Sequence, residues 1–157
     1  MVRKIILPLS FVFTLLFLTN SYVHSQDKWW KEKRYKNDAA RQKHDLCKKT
    51  FKDIWYGFQN KNVNFITEYF KSQVYLNLIS GENGYYSTNQ AELLLINFMD
   101  FYTIDSIRYI KSNKYNSFAY ANGIYTYITG SRKYDMRFTI SLEYDGSKWL
   151  IDQIKIY

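Results

Sequence analysis

Cysteine, proline, histidine and glycine are all scarce in this chain of 157 residues, which has one, one, two and six of them respectively. Cys47 has no second cysteine to bridge within the chain, so packing has to hold the fold together. Pro8 lies close to the start, and everything beyond it escapes the ring-imposed breaks that proline puts into helices and strands. With so little His and Cys, no cluster of His, Cys and carboxylates falls at metal-ligand spacing, and no metal or cofactor is expected. A glycine-rich phosphate loop and a nucleophile elbow are also lacking. Long apolar runs are missing except for one of about 14 residues, Ile5 to Leu18, shorter than the roughly 20 that span a bilayer as a helix.

That run carries the first positive signal. Arg3 and Lys4 precede it, and Val23-His24-Ser25 follows with residues that a signal peptidase tolerates. The three-part layout reads as a secretory signal peptide over 1–25, cleaved near Ser25, with export to the periplasm or the extracellular space. What remains is long enough for one domain with a real core and too short for two.

The formal charge of the full chain is +8, and its distribution matters more than its size. Residues 26–53 carry ten Lys/Arg against five Asp/Glu, whereas residues 54–157 carry ten against nine. The basic character is therefore an N-terminal property. An exported protein does not normally meet DNA or messenger RNA, so no nucleic-acid partner is expected; anionic lipid or acidic glycan is the natural counter-charge. A solvated, charged helix face is the plainer alternative.

Aromatic residues make up 20% of the chain, with 16 tyrosines among them, a composition that suits pleated, half-exposed sheet surfaces. Residues 26–45 divide into a basic, aromatic lead-in and the start of a first helix, capped at Asn37 or Asp38 and running to about Gln59. Cys47, Phe51, Ile54 and Phe58 form its apolar face. A short second helix places Val63, Ile66, Tyr69 and Phe70 on one side. A strand follows over Val74 to Ile79, then a turn at Gly81-Glu82-Asn83-Gly84 with Asn83-Gly84 as its strongest dipeptide. Ser87 and Gln90 make a capping box for a third helix bearing Ala91, Leu94, Leu95, Phe98, Met99 and Tyr102. The period then changes to two, over Ser106–Lys111, Ser117–Ile128, Lys133–Tyr144 and Lys148–Ile156. In the last of these, Trp149 and Ile151 fall out of step with Ile154 and Ile156, and a β-bulge at Asp152-Gln153 would reconcile them. Together these make an α+β domain, two to three helices on a curved, mainly antiparallel sheet.

This order of elements resembles the nuclear transport factor 2-like (cystatin-like) superfamily, which includes ketosteroid isomerase and scytalone dehydratase. More narrowly, residues 46–157 resemble a family of small exported proteins of unknown function found chiefly in Bacteroidota. The resemblance rests on Asn62 to Phe70, on Tyr86-Ser87 leading into Gln90-Ala91-Glu92 with Leu95 and Phe98, on Tyr120 to Tyr125, and on Trp149 to Ile154. It implies a cone-like fold and leaves the lead-in outside. Enzymes of the superfamily work inside the cone with a carboxylate or His beside Tyr or Asp, which makes Asp105 and Tyr109 the pair to inspect for an isomerase or dehydratase. Asp105 alternatively reads as a solvated strand-entry residue. His44, beside Lys43 and Asp45, reads as a solvated helix residue.

Two apolar features and one mixed feature complete the expectations. Phe70, Phe98, Tyr102, Met136, Phe138 and Trp149 either line a cavity for a small apolar ligand or fill that space as core, and the density of protein interiors favours the filled core. Tyr120, Ile124 and Ile128 alternate with Ala119, Ala121, Tyr125 and Tyr127, leaving one strand apolar on both faces; self-association through the sheet would cover the outer one. Many superfamily members dimerise this way, so the resemblance implies a homodimer. Trp29 and Trp30 among Lys31, Lys33, Arg34 and Lys36 suit peripheral contact with an anionic membrane or stacking on sugars, or else staple the first helix to the domain or stay disordered. The leading expectation is an exported, non-enzymatic domain that binds a partner, such as an envelope protein, or a small apolar ligand.

Overall fold

The computed structural model describes residues 29–31, 34, 35 and 37–157. The expected signal peptide at 1–25, Lys33 and Lys36 lie outside them. Three helices and six strands run in the order α1 (Asp38–Gln59), α2 (Asn64–Thr67), β1 (Phe70–Leu78), β2 (Asn83–Ser87), α3 (Thr88–Phe101), β3 (Ile104–Lys114), β4 (Phe118–Thr129), β5 (Arg132–Tyr144) and β6 (Trp149–Ile156). The fold is α+β, three helices packed on a curved, open six-stranded sheet.

α1 starts where the sequence places it. The Asn37 side chain accepts a 2.8 Å hydrogen bond from the Ala39 N–H, occupying one of the donors that a helix start leaves without a partner. His44, Cys47, Phe51, Ile54 and Phe58 then form one buried stripe against the sheet. At α3, Gln90 Oε1 accepts from both the backbone N–H and the hydroxyl of Ser87, closing the capping box. Ala91, Leu95, Phe98 and Met99 are its buried residues. The expected second helix shrinks to the four residues of α2, because Phe70 already belongs to β1.

The strand order is β2-β1-β6-β5-β4-β3. Neighbours are antiparallel except β1 and β6, which run parallel. The bulge lies at the expected place: Ser141 pairs with Gln153 and Leu142 with Ile151, so Asp152 is the extra residue. Trp149, Ile151, Ile154 and Ile156 all become buried as a result.

The first hairpin differs from the expected one. Asn83 and Gly84 are strand residues of β2, paired with Asn77 and Leu76. The chain reverses one step earlier, where Gly81 takes φ +115° and Leu78 N–H donates to Glu82 O. Gly81 satisfies the left-handed position, which releases Asn83 to accept a 2.5 Å hydrogen bond from the Tyr75 hydroxyl.

β3 is an edge strand, and α1 covers part of that edge with side chains. Trp55 Nε1 donates to Ile107 O at 2.6 Å. The Gln59 amide bonds the same strand twice, donating to Asp105 O at 3.3 Å and accepting from Ile107 N at 3.1 Å. These bonds take the place of a further strand.

Candidate functional site

The interior of the cone is the first place to look, and its chemistry is already spent on the fold. Phe70, Phe98, Met136, Phe138 and Trp149 are buried, and Tyr102 is half-buried at the end of α3. Phe138 lies close against the backbone of Gly123; a Cβ there would come within 2.3 Å of its ring and 2.2 Å of Arg108 O. The Trp149 indole donates to Lys43 O at 2.9 Å. Five of these six side chains are thus buried, with Phe138 held close to the Gly123 backbone. Phe98 and Tyr102 also border an open surface cleft of about 430 Å³ with Ile79, Ser80, Glu82, Asn97 and Phe101, on the outside of the domain.

The interior hydroxyls are structural. Tyr109 donates to Phe51 O at 2.9 Å, and Tyr125 to Tyr102 O at 2.7 Å. Burial raises the Tyr109 phenol well above its usual range, with Cys47 adding a smaller upward push, and burial alone raises Tyr125. Burial also raises the Cys47 thiol, against a smaller downward pull from Lys114. Each is thereby held in its protonated form at neutral pH.

The pair Asp105 and Tyr109 is not a proton-transfer dyad. While the Tyr109 hydroxyl bonds α1, the Asp105 carboxylate is paired with Lys133 at 2.7 Å on the rim, its side chain 25% exposed. Asp105 is the extra residue of a bulge in β3, since Ile104 pairs with Tyr127 and Ser106 with Thr126, and the bulge breaks the alternation that would put it on the face of Tyr109.

A carboxylate–tyrosine contact does exist elsewhere, where sequence reading missed it. Tyr69 donates to Asp53, which also takes Lys49 at 2.5 Å; Lys49 lies 3.1 Å from the Tyr69 hydroxyl. Burial first, and the bond to Asp53 second, push the Tyr69 phenol up to about 12. Asp53 and Lys49 show only as an i,i+4 pair on a helix, and their meeting with Tyr69 depends on the turn from α2 into β1. The cluster holds that corner together, and its Lys49 also borders an open surface cleft with Asp38, Arg41, Gln42, Asp45 and Leu46.

The lead-in behaves differently from the surface reading. Trp29 and Trp30 are 7% and 5% exposed, so their rings are core residues and not free to seat in a membrane. Trp29 packs edge-on to Phe51 at 6.0 Å and against Tyr109 at 4.5 Å, and its carbonyl accepts from Ser112 Oγ at 2.9 Å. Burying so much apolar ring area outweighs the solvation of the neighbouring cations. Lys31 and Arg34 remain exposed.

His44 is 3% exposed, not solvated as its charged sequence neighbours imply. Trp30 Nε1 donates to His44 Nε2 at 2.9 Å, and the Tyr35 hydroxyl lies 2.9 Å from Nδ1. Both ring nitrogens thus hold the N-terminal segment onto α1 as a strap. Beside this joint is an open cleft of about 330 Å³ lined by Trp30, Lys31, His44, Ser112, Asn113, Lys114 and Tyr115.

The outer sheet face has a different character. Residues of β4 alternate, with Ala119, Ala121, Gly123 and Tyr125 buried toward the helices and Tyr120, Asn122, Ile124, Thr126 and Ile128 half-buried on the outside. Ile124 lies between Arg108 of β3 and Arg137 of β5, and Tyr120 between Asn113 and Ser141. Phe118 is 39% exposed, with Tyr115 stacked 6.4 Å away.

A helix-covered, strongly curved sheet of this topology defines the nuclear transport factor 2-like class. An NTF2-like protein from Anabaena variabilis superposes with a TM-score of 0.61 at 11% identity, over 81% of this chain and 94% of its own. Residues 51–157 match the family described as "Domain of unknown function (DUF4783)", and the chain belongs to that family. The DUF4783 family protein from Bacteroides uniformis superposes with a TM-score of 0.60 at 18% identity, covering 67% of this chain and 93% of that one. Its counterpart from Bacteroides fragilis gives 0.58 at 19%, over 66% and 93%. Among curated proteins nothing matches.

Proposed function

We propose that this is an exported, non-catalytic docking domain that works as a homodimer through the outer face of its sheet. The observation that carries it is the outer row of β4. Tyr120, Ile124 and Ile128 stand half-buried on a face that no helix among the described residues covers, interleaved with Asn122 and Thr126 of the same strand. Arg108 and Arg137 stand directly beside Ile124, and Lys111 beside Asn122, so the row combines apolar side chains with interleaved cations, a mixture found at polar protein interfaces. The spent interior chemistry supports a binding role over the isomerase or dehydratase reading, since the described inward hydroxyls bond backbone and Asp105 is held by Lys133. Export is supported by the three-part layout of residues 1–25.

Sedimentation equilibrium of the protein purified from its producing cell tests this reading. The native chain runs at twice its formula mass. Ile124→Glu runs at the single mass while staying folded, because Arg108 and Arg137 flank the new carboxylate. A native chain at the single mass across micromolar concentrations overturns the proposal.

A further inference from the structure

The outer face of the sheet carries cations without a counter-charge. Arg108 of β3 and Arg137 of β5 are the cross-strand neighbours of Ile124, one on each side. In an adjoining row Lys111, Asn122, Thr139 and Lys155 lie side by side across β3, β4, β5 and β6. The two rows thus bear cationic side chains from three strands and no carboxylate side chain. Carboxylates elsewhere on these strands are engaged. Asp105 pairs with Lys133, and Glu143 and Asp152 pair with Lys71, while Asp135 accepts from the Thr126 hydroxyl at 2.7 Å. Arg108, Arg137 and Lys111 are exposed and make no ion pair among the described residues. Lys155 has only the Tyr75 ring, 5.7 Å from its ammonium group.

A two-fold contact centred on Ile124 is isologous, so it brings Arg108 and Arg137 of both copies into one interface. Their guanidinium groups then leave water together, and a cation buried without a partner is costly. If Asp135 of each copy turned to an arginine, half of the arginines would still lack a partner. A bound anion supplies what the chain does not.

The arrangement says which kind of anion. Arg108 and Arg137 stand two strand spacings apart, about 10 Å between main chains, with Ile124 as an apolar floor between them. Their side chains are long enough to converge on one group above that floor. A guanidinium fork takes two oxygens of its partner. One fork therefore occupies both oxygens of a carboxylate, whereas a tetrahedral oxyanion offers an oxygen pair to each of several forks.

We infer, building on the sheet dimer proposed above, that its interface is a binding site for a tetrahedral oxyanion, phosphate or sulfate, held by Arg108 and Arg137 of the two copies. The anion links the protomers, and dimerisation is coupled to it by mass action.

Sedimentation equilibrium of the natively purified protein in sodium chloride, acetate, sulfate and phosphate tests this. All are compared at neutral pH and one ionic strength, which removes general screening as a cause. The dimer dissociation constant is lower by about tenfold or more in sulfate or phosphate than in chloride, and acetate behaves as chloride. A larger effect of phosphate assigns a phosphoryl group, and a larger effect of sulfate a sulfate group. Arg137→Gln and, separately, Arg108→Gln abolish the difference between salts while leaving the thermal midpoint in chloride in place. A dimer equally tight in every salt overturns the inference and leaves the sheet dimer standing, whereas a single mass in every salt overturns both. An acetate effect as large as that of the oxyanions, or an arginine variant that keeps the full response, also overturns it.

Discussion

Trp30 donates its indole N–H to Nε2 of His44 across 2.9 Å, and the donor's chemistry fixes the state of the acceptor. An indole nitrogen can only donate, so Nε2 carries no proton and Nδ1 of the neutral ring carries it toward the Tyr35 hydroxyl. A residue that reads as a solvated helix histidine is the joint that fastens the N-terminal strap to α1. Replacing His44 with Phe leaves the Trp30 N–H and the Tyr35 hydroxyl facing an apolar ring, at a cost of about 1–3 kcal/mol. Urea unfolding reads that loss, together with a red shift in tryptophan emission. An unchanged midpoint would mean that the strap is not held at His44.

Gly123 is the tightest backbone position in the core. Its substitution by Ala drives a methyl group into Arg108 O and the Phe138 ring, and we expect a loss of about 3 kcal/mol. Adding Phe138→Leu relieves one clash and not the other, because the Arg108 carbonyl is main chain. Partial recovery in thermal denaturation is therefore the expected result, and full recovery would show the carbonyl contact to be harmless.

The side chains of Trp55 and Gln59 stand in for a strand at the edge of β3. Gln59→Ala frees Asp105 O and Ile107 N for solvent or for another chain. Stability falls by about 1 kcal/mol, and light scattering on mild heating rises sooner than in the native protein. A variant equally stable and no more prone to associate contradicts the edge role.

Tyr69 gives a pH dependence with a defined sign. Its folded-state phenol is raised to about 12, against roughly 10 for an unperturbed tyrosine. A raised value means that the stabilisation is fully present below the unfolded value and is lost as pH climbs through the folded one. The native protein is more stable than Tyr69→Phe by about 1 kcal/mol at neutral pH. That difference narrows between about pH 10 and pH 12, and denaturant melts across this range check it. A gap that stays constant contradicts the assignment to Tyr69.

Local pattern carried the elements well and their long-range partners poorly. The limits of α1 follow from Asn37 and from the spacing of Cys47, Phe51, Ile54 and Phe58, all properties of one helix. The bulge at Asp152 is legible because an inserted residue is what shifts an apolar alternation by one step within a single strand. The hairpin misleads because Asn83-Gly84 is a strong turn signal in isolation, whereas β1 pairing selects Gly81. The strap is harder still: a basic, aromatic segment suits either a membrane surface or a staple onto the first helix, and only the packing of Trp29 on Phe51 and Tyr109, with Ser112 bonding its carbonyl, selects the staple. Asp53 and Tyr69 meet through a turn between elements, which no periodicity encodes. Even the parallel pairing of β1 with β6 joins the two ends of the domain and leaves no mark in either strand alone.

The central claim is a sealed interior with the sheet's outer face as the docking surface. Native mass spectrometry of the protein purified from its producing cell tests both halves at once. The account predicts a dimer that, after mild activation, yields protomers with no apolar molecule retained. A monomer carrying a bound apolar molecule would contradict it, placing the function back inside the cone.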